Sequence, residues 1–499
     1  MRRAFLFLIL AVSLALVGCS GKSQPTPFVE RAMWYWHTPF NLDKQAAGAL
    51  TDMHVTRLFV RTGTLSTDGQ DITVTVPQRF ETAAPCPVHL VFNADSGVLK
   101  HFDEAVKNGL SQKLLKFYAA AKAAASKAGL KVRGLQVDFD VPTRLLDKYA
   151  LVMRELRVGL PNNEELSLTG LPTYLATEGF KEVVDQVDFF APQFYEGSIG
   201  TDLAHLRSIS AKESIDRGIE LAERFQKPYY LGLPAYGQAL IFDEKGKIAG
   251  AYRKLSPVDA LRHPSFTFKS FALSEGEEIL QLVANQNGVN GKGKGYTLVY
   301  RRVTPLLVAQ MQSDAVHHRS TYCRGLAWFR VAEKGECLAM NLTTLRAALD
   351  GREPQLDLDL KSSEEVEPFA KIEGGGALGS RVSFSLYSRG EAETAIQPSA
   401  LTLTVRFPEG TLDSVEPGEF ANVQPFYDDP KSSGQVSLAR SNGVQFNLPY
   451  LGPGQKVSTG ALRFRGPVRL SVHWSAATPQ KRVEGDKLEI KTGESTKTP

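Results

Sequence analysis

The chain has 499 residues, with 58 lysines and arginines against 54 aspartates and glutamates and a formal net charge of +4. That balance leaves no polybasic face, so no nucleic-acid partner is expected. The length exceeds one small domain and predicts at least two folded units.

In chain order, MRRAFLFLILAVSLALVGCS joins two arginines, a short apolar run and a small residue beside Cys19. This is an export signal over residues 1–19 and not fold material. Leu16-Val17-Gly18-Cys19 resembles the bacterial lipobox, which implies a mature protein lipidated on Cys19 and held to a membrane through that anchor. Ser20 resembles the outer-membrane sorting signal and implies the periplasmic face of that membrane. Cleavage elsewhere, with Cys19 incidental, is the alternative. Of the other cysteines, Cys323 and Cys337 could pair in an oxidising compartment, leaving Cys86 free. No CxxC or His/Cys cluster is present, so neither a metal site nor a cofactor is expected.

Residues 31–349 alternate β-rich apolar runs with helical patterns. Strands are expected at 32–37, 55–63, 88–94, 132–140, 166–172, 187–196, 229–237 and 325–331, with clear helices on both sides of the fourth. Eight strands with helices between them over about 300 residues predict an α/β fold, a (β/α)8 TIM barrel. An insertion at about 238–322 separates strands seven and eight; it contains the hairpin-like LIFDEKGKIAGAYR, then KGYTLVYRR, and a helix leading into strand eight. Charge, proline and glycine over 350–376 read as a linker. Short alternating strands over 377–476 predict a small C-terminal β-sandwich. Polar residues 477–499 read as a disordered tail.

The fourth strand carries the chemistry. In GLQVDFD, residues 134–140, the side chains of Gln136, Asp138 and Asp140 alternate and so share one face, neighbours about 7 Å apart. With that face inward, Asp140 lies at the mouth, where barrel chemistry sits, and Asp138 one layer below. Two acids this close separate their pKa values, which suits general acid catalysis. A purely structural role, pairing with Arg61 or Arg330, is the alternative.

GLQVDFD resembles the DGxDxDxE strand of glycoside hydrolase family 18, the chitinases and endo-N-acetylglucosaminidases. Aligning the glycine puts Asp138 on the third Asp, Asp140 on the catalytic Glu and Gln136 on the second Asp. FFAPQFYEG resembles that family's strand six through Gln193, Tyr195 and Glu196; YYLGLPAYG its strand seven through Gly232, Pro234 and Tyr236; GLAWFRV its last strand through Trp328. The chain is more similar to the domain of unknown function 3142 family, bacterial lipoproteins with a (Q/D)xDFD fourth strand. The resemblance implies that Asp140 is the acid, that Asp138 and Tyr195 hold a substrate acetamide, that Gln193 and Glu196 flank the site, and that Trp328 stacks under a sugar ring. Asp140 is one methylene shorter than Glu, and Glu196 could serve as acid instead. Trp34, Trp36 and His37 at strand one are a sugar platform or ordinary core. Tyr236 and Arg330 complete the expected substrate-binding set.

Three functions follow: an envelope glycoside hydrolase acting on an N-acetylhexosamine-containing glycan; a non-catalytic carbohydrate-binding lipoprotein; and an envelope assembly factor whose barrel mouth contacts another envelope protein, with the insertion and the β-sandwich as candidate surfaces for such a partner.

Overall fold

A computed structural model describes residues 30–69, 71–195, 199–210, 212–285, 293–318, 320–368, 378–428, 436–485 and 487–492. The expected signal segment, with Cys19, lies outside the described residues.

The first unit begins with β1 (Glu30–Tyr35), β2 (Val55–Thr67), a short β3 (Ile72–Thr75) folded back on β2, β4 (Val88–Ala94), β5 (Val132–Asp138), β6 (Glu165–Gly170), β7 (Phe189–Pro192) and β8 (Tyr229–Pro234). The insertion follows as β9 (Gly237–Phe242), β10 (Ile248–Ala251), β11 (Phe266–Ser274), β12 (Glu277–Ala284) and β13 (Thr297–Val303), and β14 (Cys323–Phe329) is the last barrel strand. Strands β1, β2, β4, β5, β6, β7, β8 and β14 pair in parallel, and β14 pairs back to β1, so the sheet is a closed eight-stranded (β/α)8 barrel. Each of the eight expected strands is present, with ends differing by a few residues.

Local sequence explains the crossovers. The helix Leu110–Lys127 is built largely from Ala, Leu, Lys and Gln, the strongest helix formers, and turns Leu114, Tyr118 and Ala125 into the core. It delivers the chain to β5, where Gly134 is obligatory. A Cβ there would stand 2.0 Å from the carbonyl oxygen of Glu165 on β6, so only glycine lets the two strands pair.

The barrel interior is packed in layers, not hollow. At the floor, the Arg57 guanidinium donates to Glu165 at 2.6 Å and lies 4.9 Å from the centre of the Phe189 ring. His89, fully buried, bonds the same Glu165 oxygen at 3.0 Å. Above them Phe59 and Trp34 meet at 5.2 Å between ring centres.

The insertion is a five-stranded antiparallel sheet, ordered β10-β9-β13-β12-β11. The sequence exposes β9, β10 and β13; the hairpin of β11 and β12 was not among the expected elements, because its partly exposed face carries polar residues between the apolar ones. Beyond the barrel, two antiparallel sheets face each other over a core including Val382, Phe384, Leu403, Val405, Phe446, Phe464 and Trp474, which forms the β-sandwich. The stretch 350–376, read as a linker, contains the sandwich strand Leu358–Pro368, paired with Leu378–Ser388. It is an edge strand, where charged side chains discourage further pairing, so its acidic composition resembles a connector's. Within 477–499, read as a tail, Arg482–Glu484 and Leu488–Lys491 add to the other sheet.

One buried charge cluster joins the three units. Arg302 of β13 bonds Glu278 of β12 at 3.1 Å, Glu393 of the sandwich at 3.1 Å, and the carbonyl of Cys337, beyond β14, at 3.0 Å. Glu393 also accepts from the Tyr450 hydroxyl at 2.9 Å and the Asn341 amide at 3.0 Å. Cys323 and Cys337 are free thiols, as is Cys86, so the possible disulfide is absent. Cys323 opens β14 at the floor and Cys337 lies beyond its mouth end, a strand length of about 20 Å away, far outside bonding reach.

The floor sets a pH dependence. Burial, then the nearby Arg57 charge, holds His89 down to about 4, whereas an unfolded chain titrates near 6.5. The unfolded state therefore binds a proton the folded state refuses, and stability drains as pH falls from about 6.5 toward 4, at up to about 1.4 kcal/mol per pH unit. Urea unfolding of wild type and His89→Gln between pH 7 and pH 5 should show wild type losing ground to the variant as acid is added. A constant difference would refute a neutral buried His89.

Candidate active site

The C-terminal ends of the barrel strands open into a cavity of about 740 Å³ between the barrel and the insertion. Asp138, Asp140, Gln193, Tyr195, Trp36, Tyr236 and Arg330 all line it, so seven of the expected residues come together from five barrel strands and their exits. Glu196 lies outside the described residues.

Asp138 ends β5, half-buried, and its Oδ1 accepts two hydrogen bonds: from the Thr169 hydroxyl of β6 at 2.5 Å and from Gln193 Nε2, just after β7, at 3.1 Å. Parallel pairing of β5, β6 and β7 brings these donors to one level, since each is an inward position at its strand's mouth end. Asp140 stands two residues on, open to the cavity, with no hydrogen-bond or ion-pair partner among the described residues. Burial, then the Asp140 charge, pushes Asp138 up to about 6 against the pull of its two hydrogen bonds and of Arg61. Desolvation by the walls raises Asp140 as well. Both members are thus raised above the ordinary carboxylate range, one fixed by donors and the other facing open space.

Aromatic side chains form the floor and one wall. Tyr195 stacks on Phe329 at 5.0 Å and 19°, Tyr236 meets Phe329 edge-on at 5.0 Å, and Trp36 meets it at 5.5 Å. Gly232 leaves room for this cluster; a Cβ there would stand 2.8 Å from the Pro192 carbonyl oxygen and 3.3 Å from the Trp34 ring. Apolar ring faces with hydroxyls and carboxylates at their edges match the two sides of a pyranose.

Two expected substrate contacts take other places. Trp328 is fully buried on the outer face of β14, level with Met33 of β1 and Leu233 of β8, under the helical layer. The alternation of β14 puts Phe329, level with Trp34, into the mouth instead. Gln136 is also fully buried: its Oε1 accepts from Trp34 Nε1 at 2.9 Å, below the carboxylates, and it does not reach the cavity. It holds the indole on which the aromatic cluster rests. Arg330 reaches the cavity while paired with Glu336 at 2.9 Å and His37 Nε2 at 2.7 Å. His37 also faces Glu333 at 3.1 Å, so it is a braced member of the rim.

Sequence reasoning missed Thr169, Phe329, Glu336 and the insertion's Tyr252, Arg253 and Lys254. Thr169 was findable, being the inward position in LSLTG that matches Asp138; Arg253 and Lys254 carry no local signal, because only the fold of the insertion brings them over the mouth.

Removing a donor to the Asp138 carboxylate should raise its pKa further, since hydrogen bonds to an ionised group favour that form. Thr169→Val, which keeps shape, should lift it above about 6 by about one to two units, as read by carboxyl-carbon NMR titration. An unchanged titration would show that Thr169 does not hold the ionised form.

Residues 107–334, which span β5 to β14 and the whole insertion, match the family described as Domain of unknown function (DUF3142). Curated proteins give no match. Among solved structures, the spore cortex-lytic enzyme SleL of Bacillus cereus shares 16% identity over 64% of this chain and 73% of its own, with a TM-score of 0.42. A chitinase from Chromobacterium violaceum ATCC 12472 shares 14% over 64% and 98%, with a TM-score of 0.38, and chitinase ChiA74 from Bacillus thuringiensis 9% over 93% and 100%, with a TM-score of 0.41. At such similarity these structures carry no conclusion about activity. Over residues 107–334, the stretch that holds both carboxylates and the insertion, the chain is similar to the DUF3142 family.

Proposed function

We propose that the barrel mouth binds and hydrolyses an N-acetylhexosamine-containing glycan, on a protein tethered to the cell envelope, at the periplasmic face of the outer membrane, by lipid on Cys19. The asymmetric carboxylate pair carries this reading: Asp138 is held by Thr169 and Gln193, whereas Asp140 faces a sugar-sized aromatic cavity unpartnered among the described residues.

The chemistry that fits is substrate-assisted. Asp140 gives its proton to the glycosidic oxygen as the bond from that oxygen to the anomeric carbon breaks. The substrate's acetamide oxygen forms a bond to the same carbon from the other side, while Asp138 accepts from the acetamide N–H and the Tyr195 hydroxyl donates to its oxygen. Water then attacks the anomeric carbon, gives a proton to the Asp140 carboxylate and restores the acetamide. The open position of Asp140 in the cavity, with no donor holding its ionised form among the described residues, supports its role as donor, and desolvation acts in the same direction. A second reading, binding without cleavage, is favoured by the short reach of Asp140, because about 1 Å of misplacement costs on the order of a hundredfold in rate.

The purified full chain, given N-acetylglucosamine oligomers, should both bind and release reducing ends. Asp140→Asn should lower release by about a hundredfold to ten-thousandfold while keeping affinity within about threefold. Full activity in that variant would remove Asp140 from the mechanism; binding without release by wild type would select the second reading, and no binding would refute both.

A further inference from the structure

Facing the carboxylates across the cavity is a second charged group with no role in the chemistry above. Arg253 and Lys254, which follow β10 of the insertion, line the cavity, are exposed, and have no ion pair or hydrogen bond among the described residues. Arg61 of β2 lies within electrostatic reach of both Arg253 and Asp138. Its own hydrogen bonds go to neutral groups, Thr64 Oγ1 at 2.8 Å and Asn93 Oδ1 at 3.5 Å.

Neither Arg253 nor Lys254 is paired within the cavity among the described residues. Of the other charged groups on the cavity wall, Arg330 and Glu336 neutralise each other in a paired contact. Asp140 makes no ion pair or hydrogen bond among the described residues, so Arg253 and Lys254 are not its contact partners. Asp138 gains only a minor pull from Arg61, behind burial, Asp140 and its two hydrogen bonds. Arg253 and Lys254 thus place two adjacent cations on the cavity wall, and Arg61 lies near enough to feel the Arg253 charge. A bound anion beside them supplies the counter-charge that this part of the wall lacks.

We propose that Arg253 and Lys254 form an anion subsite, and that the glycan bound at the mouth carries a negatively charged substituent on a sugar adjoining the one at Asp138 and Asp140. The inference rests on the glycan reading of the same cavity and narrows its substrate to an acidic N-acetylhexosamine polymer. A planar carboxylate fits the forked Arg253 guanidinium with the Lys254 ammonium beside it, and an O-sulfate group offers the same oxygen edge.

Calorimetry with the full chain separates the possibilities, using three oligomers of equal length: neutral N-acetylglucosamine, the same backbone bearing 3-O-lactyl carboxylates on alternate sugars, and an O-sulfated form. At least one acidic oligomer should bind about tenfold or more tightly than the neutral one, and which one does so identifies the anion. In Arg253→Gln/Lys254→Gln, both positions being exposed, the ratio of acidic to neutral affinity should fall toward one; Arg253→Lys should retain part of it. Equal affinity for all three oligomers, or a preference untouched by the double variant, would overturn the subsite while leaving the glycan reading standing. Failure of every oligomer to bind would refute the glycan reading and the subsite together.

Discussion

Two carboxylates on one face of one strand, about 7 Å apart at the end of a packed barrel, are the constraint around which this molecule is arranged. Both cannot ionise freely in a partly dry mouth, and neither can be withdrawn without changing the phase of the strand. The fold treats them unequally. Asp138 receives a hydroxyl from the neighbouring strand and an amide from the next but one, while Asp140 is left to the cavity. Those donors reach one oxygen only if β5, β6 and β7 keep their parallel register. That register depends in turn on glycine where the backbones of β5 and β6 approach, at Gly134. The electrostatics of the mouth are therefore fixed by backbone pairing several residues below it.

The barrel alone supplies only half of the cavity. Its rim gives carboxylates, the Phe329 cluster and Arg330; the insertion gives Tyr252 through Ser256, and the loop beyond β14 gives Gly335 to Leu338, among them the Glu336 that pairs with Arg330. The carboxylates and the two cations of the cavity without an ion pair among the described residues thus come from different units of the chain. In the proposed function, the barrel positions a proton and the insertion sets what charge the bound molecule can carry.

The barrel was legible because each strand is a short apolar run with its own turn signals, and the fourth strand's alternation put Asp138 and Asp140 together without any tertiary knowledge. What escaped did so for identifiable reasons. Trp328 and Phe329 are adjacent aromatics, and only pairing with β1 decides which enters the mouth. Gln136 shares the face of the acids but lies one layer deeper, and a period of two gives direction without depth. The acidic stretch 358–368 has the composition of a connector because it forms a sheet edge, where charge is an asset. Arg253 and Lys254 sit in an ordinary hairpin exit; nothing within their own segment says that it folds over the strand ends.

The buried Arg302, with Glu278 on one side and Glu393 on the other, decides where such a chain can be divided. Its three charges come from the insertion and the sandwich, and its carbonyl partner from the loop after the last barrel strand. Removing the sandwich would take Glu393 from Arg302 and open the remaining Arg302–Glu278 pair to water, and removing the insertion would strand Glu393 without its cation, at a cost of several kcal/mol. Residue 349 marks the end of the barrel in sequence, yet it is a poor place to cut or fuse the molecule.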